Sequence, residues 1–211
     1  MMASSLPPIY TDAGRTALLV YDMQRGIVKQ ISDAERIVSA CKTAIDAARR
    51  AGMRIAYSKH MSLPRMWLGS TQLRTAMGWQ RVQRPEDVKS WFPRGSEASE
   101  IVPELAPSDD DLISEKFAMS AFSGTSLEFA LRDCGIVNLV IVGIALEIGI
   151  EPTVRSATDL GFVPVVLTDA CGFGDQTAGE RAIETMKFVG EAILTDTKTF
   201  AAGLAANSRQ A

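Results

Sequence analysis

Asn138-Leu139-Val140-Ile141-Val142-Gly143 and Phe162-Val163-Pro164-Val165-Val166-Leu167-Thr168 are two short apolar runs, rich in β-branched residues, with a helical stretch near Glu151 to Leu160 between them. This strand, helix, strand order is the pattern of a parallel sheet covered by helices on both faces. Working outward, Ala178 to Val189 reads as a helix and Ala192 to Leu194 as a last strand. Towards the N-terminus, Thr16 to Asp22 reads as the first strand. Asp33 to Ala51 follows, with Ile37, Ala40, Cys41, Ala44, Ile45 and Ala48 at spacings of three and four, an amphipathic helix that Asp33 is placed to cap and Gly52 to close. Met53 to Lys59 and Leu112 to Glu115 read as the second and third strands, and Ser126 to Cys134 as a helix ended by Gly135. The fold expected is α/β, a three-layer α/β/α arrangement with a Rossmann-like six-stranded parallel sheet. It forms one domain over 1–211, with an N-terminal extension at 1–14 and a long insertion at 61–108. Loops of that length in a compact domain are often functional, so the insertion is a candidate lid or oligomer contact.

Composition narrows the function classes. A chain of 211 residues with 46% hydrophobic content can bury a full core. Its 22 basic and 25 acidic residues give a net charge of -3, without the excess needed to hold a nucleic-acid backbone or an anionic membrane. No apolar run approaches the roughly 20 residues of a membrane span, and Met1 to Tyr10 lacks the pattern of a signal peptide, so a cytoplasmic protein with a small-molecule partner is expected. Cys41, Cys134 and Cys171 are few and scattered, which argues against a disulfide framework or a clustered zinc site; all three read as packing residues.

In an open parallel sheet, ligands bind beyond the carboxyl ends of the strands, where the strand order reverses. Asp22 ends the first strand, Lys116 follows the third, and the Gly143 to Gly149 loop follows the fourth. The architecture brings these three to one edge. Taken singly, Asp22 reads equally as a surface or capping residue and Lys116 as a solvated lysine.

Leu18-Leu19-Val20-Tyr21-Asp22-Met23-Gln24 resembles the first-strand motif of the isochorismatase-like (cysteine hydrolase) superfamily. Ser114-Glu115-Lys116-Phe117 with Ser120-Ala121-Phe122 and Thr125-Ser126-Leu127 is similar to its lysine motif. Leu139 through Val142-Gly143-Ile144-Ala145-Leu146-Glu147-Ile148-Gly149-Ile150-Glu151-Pro152-Thr153, and on to Ala170, is similar to its nucleophile loop and the segment beyond. The blocks run in order over roughly Thr16 to Leu194. The resemblance implies a hydrolase in which Asp22 and Lys116 are the catalytic pair. It also implies a non-proline cis peptide between Ile144 and Ala145, and a backbone oxyanion site at the amides of Ala145 and Gly149.

The chain departs from the family pattern at one decisive place. Gly149 stands where the family's nucleophilic cysteine would be, and Leu146 replaces a usual threonine. Glycine offers no thiolate, so a covalent acyl intermediate is not expected. Cys171 lies at the same edge of the sheet, but no base neighbours it in sequence. The true isochorismatases of this superfamily work without the cysteine, with Asp as general acid and water adding to an oxocarbenium ion. By that resemblance Asp22 is the general acid or base and Lys116 the charge stabiliser.

His60, the only histidine, follows the second strand. It reads either as a hydrogen-bonded structural residue or as a substrate-facing group. Nicotinamidases of the superfamily carry an Asp-x-His metal motif there, whereas this chain reads Ser58-Lys59-His60, so neither a metal site nor a cofactor is expected. Trp67, Trp79 and Trp91 in the insertion read as core or interface residues, or as a hydrophobic pocket wall, and Trp67 and Trp79 are the candidates for substrate binding. Arg65, Arg74, Arg81 and Arg84 are solvated residues or binders of a substrate carboxylate. A homo-oligomer, dimer or tetramer, is expected from the family. Two functions stay open: a hydrolase of a small polar molecule acting without a covalent cysteine intermediate, and a catalytically silent ligand-binding relative.

Overall fold

A computed structural model describes residues 6–207. Six strands, β1 (Thr16–Tyr21), β2 (Arg54–His60), β3 (Leu112–Lys116), β4 (Asn138–Ile144), β5 (Val163–Gly172) and β6 (Ile193–Thr195), form one sheet in the order β3-β2-β1-β4-β5-β6, and every pair is parallel. The sequence order reverses between β1 and β4, which opens a crevice at their carboxyl ends. Seven helices accompany the strands: α1 (Arg25–Val28), α2 (Ala34–Arg50), α3 (Ser70–Gln80), α4 (Leu127–Asp133), α5 (Glu151–Asp159), α6 (Gln176–Val189) and α7 (Thr197–Asn207).

Alternation along the strands sorts the core into two layers. Leu18, Val20, Val140, Val142, Val165 and Leu167 face α2 and α7, meeting Ile37, Cys41, Ala44 and Phe200. Ala17, Leu19, Tyr21, Leu139, Ile141 and Val166 face the other side, against Leu127 and Leu131 of α4, Val154 and Ala157 of α5, and Ala182 and Met186 of α6. Each fully buried aliphatic side chain contributes about 1.5–3 kcal/mol, so β1 and β4, buried along their whole length, anchor the fold. The three-layer α/β/α architecture is the one the sequence pattern predicts.

Four differences from the sequence reading have physical causes. Asp33 precedes α2, but its side chain does not cap the helix; its carboxylate pairs with Arg36 instead. β5 runs on to Gly172 because a register shift beyond Ile141 and Val166 lets Gly143 pair with Cys171 and Ile144 with Gly172. The insertion contains α3, none of whose residues is fully buried, so its sequence shows no strong apolar face. Helix α7, also absent from the sequence reading, is alanine-rich and docks on α2 through Phe200 and Leu204. Within the N-terminal extension, residues 1–5 lie outside the described residues. Pro8–Tyr10 form a 3-10 turn held by the Asn138 side-chain amide, which donates to the Ile9 carbonyl at 2.8 Å, and by that of Asn207, which donates to Pro8 at 2.9 Å.

Candidate active site

The site lies at the carboxyl edge where β1, β2, β3 and β4 converge. Asp22 follows β1 with φ of 49°, in the left-handed region that a non-glycine residue adopts at a cost of about 1–3 kcal/mol. Its N–H meets the carbonyl and the hydroxyl oxygen of Ser58 on the neighbouring strand, each at 3.2 Å. The carboxylate is nearly sealed from solvent. Oδ1 accepts from the Ser58 hydroxyl at 2.6 Å, and Oδ2 accepts from Lys116 Nζ at 2.7 Å. Lys116 starts from β3, two strands away, and its long aliphatic stem crosses the end of β2 to reach Asp22. Its side chain is 1% exposed and that of Asp22 5%, so the ion pair is among the most deeply buried charge in the molecule. Nζ also donates to the Ala118 carbonyl at 3.1 Å and stands 4.5 Å from the centre of the Tyr21 ring.

Above the pair opens a cavity of about 340 Å³, within the range of small-molecule sites. Asp22 and Tyr21 form part of its lining. Ile27, Ile31, Met119, Ile144 and Ile148 make it largely apolar, and the insertion supplies an aromatic wall of Trp79, Trp91 and Phe92. His60 sits in that wall, edge-on to Trp79 at 6.4 Å and to Phe92 at 5.8 Å between ring centres. Burial holds the imidazole below the usual histidine range. The Asp22 charge opposes that shift and the Lys116 charge adds to it.

The loop after β4 forms the remaining wall. The Ile144–Ala145 peptide is cis, and Leu146–Ile150 form a π-helical turn leading into α5. Ala145 lines the cavity. Gly149 is buried, and its N–H donates to the Ala145 carbonyl at 2.9 Å, so that amide serves the turn. Of the two amides expected to face a substrate oxygen, Gly149's is therefore engaged within the loop. Glu147, which also lines the cavity, accepts the N–H groups of Gly174 at 2.8 Å and Asp175 at 3.1 Å through Oε1, while its Oε2 is buried without a partner among the described residues.

The structure thus gathers Asp22, Lys116, His60, Trp79 and Ala145 at one edge, with Gly149 beneath the loop. It does not bring Trp67 there: Trp67 is 75% exposed and is not part of the cavity wall, because the turn it occupies points it to solvent. Nor do Arg65, Arg74, Arg81 and Arg84 line the cavity. Arg65 is spent on the Pro85 carbonyl at 2.7 Å, and Arg84 on Asp87 at 3.0 Å. Cys171 is fully buried, and desolvation pushes its thiol well above the ordinary range; its sulfur faces the Ile141 carbonyl at 3.8 Å, in keeping with a packing residue.

Three residues that sequence reasoning did not single out prove central. Ser58 orients Asp22. Gln24, fully buried, donates through Nε2 to the carbonyls of His60 at 3.0 Å and Ser99 at 3.1 Å and accepts the His60 N–H at 2.6 Å. It clamps the ends of β1 and β2 to the insertion. Tyr21 lies under Lys116. Tyr21 and Gln24 stand in the same motif as Asp22, but only its charge marks Asp22 out in the sequence.

Fold and site together define a doubly wound α/β protein with a ligand-sized cavity at its switch point and a buried carboxylate–ammonium pair on the cavity floor. Residues 16–198 match the isochorismatase domain, and the chain belongs to that family. It is 30% identical over 172 residues to the ureidoacrylate amidohydrolase RutB of Acinetobacter baylyi, a match covering 74% of this chain and 70% of that protein. Among solved structures, a cysteine hydrolase from Pseudomonas syringae pv. phaseolicola has the same fold, with a TM-score of 0.80 at 21% identity over 98% of this chain and 97% of that one. An isochorismatase family protein from Burkholderia thailandensis aligns with a TM-score of 0.74 at 26% identity over 95% and 98% of the two chains. The chain is an isochorismatase-like hydrolase.

Proposed function

We propose that this protein hydrolyses a small molecule without a covalent enzyme intermediate, Asp22 moving the proton and Lys116 stabilising the charge that develops. The observation that carries the reading is the buried Asp22–Lys116 pair at 2.7 Å, with Asp22 on the floor of a largely apolar cavity and no side chain at position 149. In this reading Gly149 stands at the family's nucleophile position and water is the attacking group. Ser58 holds Oδ1 of Asp22 and Lys116 holds Oδ2, so the carboxylate is oriented before substrate arrives. Low local dielectric makes each of these interactions stronger than it is in water.

The cavity lining speaks to the substrate class. Among the described residues it carries the carboxylates of Asp22, Glu147 and Asp175 and neither lysine nor arginine, and Lys116 meets the cavity only through Asp22. The unpartnered Glu147 Oε2 suits an N–H donor. We therefore favour a neutral, N–H-bearing amide or ureide over a substrate rich in carboxylates, and the amidohydrolase relative is in keeping with C–N cleavage. A second reading, a silent ligand-binding relative, draws support from the engagement of the Gly149 amide within its own loop.

The test is an assay of the purified protein against isochorismate and against a panel of amides and ureides, ureidoacrylate included. Pyruvate and ammonia release are followed, with Asp22→Asn run in parallel. Ammonia release that falls at least about a hundredfold in the variant is the expected result. Turnover unchanged in Asp22→Asn would sink the catalytic assignment, and binding without turnover across the panel would favour the silent relative.

A further inference from the structure

Position 149 is occupied by glycine for reasons of space. Its φ lies outside the left-handed region, so its backbone would accept an L-residue. A Cβ built there, however, would stand 2.6 Å from Cε1 of Tyr21 and closer still to the ring's Cζ and hydroxyl oxygen. The phenol fills the volume that any side chain at 149 requires. It is fixed in that place from three sides: its hydroxyl donates to the Met119 carbonyl, Lys116 Nζ lies over its ring at 4.5 Å, and the core packs around it, leaving 2% of the residue exposed. Burial and then the neighbouring Asp22 charge push the phenol well above its ordinary range, so the oxygen keeps its proton and is no substitute nucleophile.

We propose that Tyr21 and Gly149 form a size-exchanged pair, in which the phenol bars any side chain from position 149. Tyr21 is then the residue that keeps the site free of covalent chemistry, and the cavity owes the shape of its floor to it. This deepens the non-covalent reading given above, yet its test involves no turnover, so either can fail without the other.

The size exchange is tested by a mutant cycle with Gly149→Ala, Tyr21→Val and the double variant, read by thermal and urea denaturation. Gly149→Ala alone forces a methyl into the ring and is expected to lower the midpoint by about 5 °C or more. Tyr21→Val alone opens a void and also lowers it. In the double variant the methyl enters the vacated space, and the unfolding constant is expected to be at least about tenfold more favourable than the two single effects predict. Gly149→Ala that fails to fold while the double variant folds supports the pair. Additive effects, a Gly149→Ala midpoint within about 1 °C of the parent, or failure of the double variant to fold would overturn it.

A second readout separates a role in the site from simple packing. Iodoacetamide alkylation, resolved by peptide mass spectrometry, is run on Gly149→Cys combined with Tyr21→Val. Cys134, which is exposed, and Cys171, which is buried, serve as internal references. The introduced thiol is expected to be alkylated at a rate near that of Cys134, since Tyr21 lines the cavity and its removal opens position 149 to it. A folded double variant whose introduced thiol is as inert as Cys171 would overturn the claim that the phenol's volume belongs to the active cavity.

Discussion

Replacing Lys116 with methionine keeps most of the side chain's volume and removes its charge, leaving the Asp22 carboxylate buried against Ser58 with no counter-ion. Both partners are almost wholly enclosed, at 1% and 5% exposure, so solvent screens the orphaned charge poorly. Breaking such a pair typically costs about 3–5 kcal/mol. In a chain of this length that is a drop of about 6–20 °C in midpoint. Asp22→Asn orphans the ammonium and is expected to cost a similar amount, softened by the Ala118 carbonyl that Lys116 also holds. The double variant, Asp22→Asn with Lys116→Met, carries neither charge. It is expected to recover at least about 2 kcal/mol relative to the sum of the singles, because the desolvation of both charges is lifted at once. Urea denaturation of the four proteins at neutral pH measures the cycle. Singles that cost less than about 1 kcal/mol, or a double that is additive, would refute the reasoning that this pair is a dry, tightly coupled unit.

Two further outcomes follow from the same site. His60, held below the usual histidine range by burial, is neutral in the folded protein at a pH where the unfolded chain already binds a proton. Stability from this residue is therefore full above the unfolded value of about 6.5 and declines as pH falls below it, and His60→Gln is expected to flatten that limb of a midpoint-against-pH curve; a slope unaltered by the variant would contradict it. Gln24→Leu strips three hydrogen bonds and leaves buried carbonyls and an N–H unpaired, an expected loss of about 2–5 kcal/mol. Hydrogen exchange should then speed up at His60 and around Ser99 to Ile101, and exchange confined to other segments would contradict the clamp.

Periodicity was legible where one face of an element is buried. Helix α2 and strands β1 and β4 could be read because Ile37, Cys41 and Ala44, or an unbroken aliphatic run, meet the core at every turn. Helix α3 could not, since nothing in it is fully buried, and the far half of β5 exists only because β4 pairs with it beyond a register shift. Trp67 and Trp79 look alike in the sequence, twelve positions apart in one insertion. Only the path of the chain puts Trp79 on the cavity and Trp67 in solvent.

The sequence by itself determined the parallel α/β architecture and the family membership, because these depend on patterns and side-chain types that are local to the chain. Tertiary structure alone decided that Asp22 and Lys116, 94 positions apart, lie 2.7 Å from one another, that Ser58 and Gln24 hold the edge rigid, and that a tyrosine fills the space beside Gly149. Distance, desolvation and excluded volume are properties of side chains converging from several strands, and no single segment carries them.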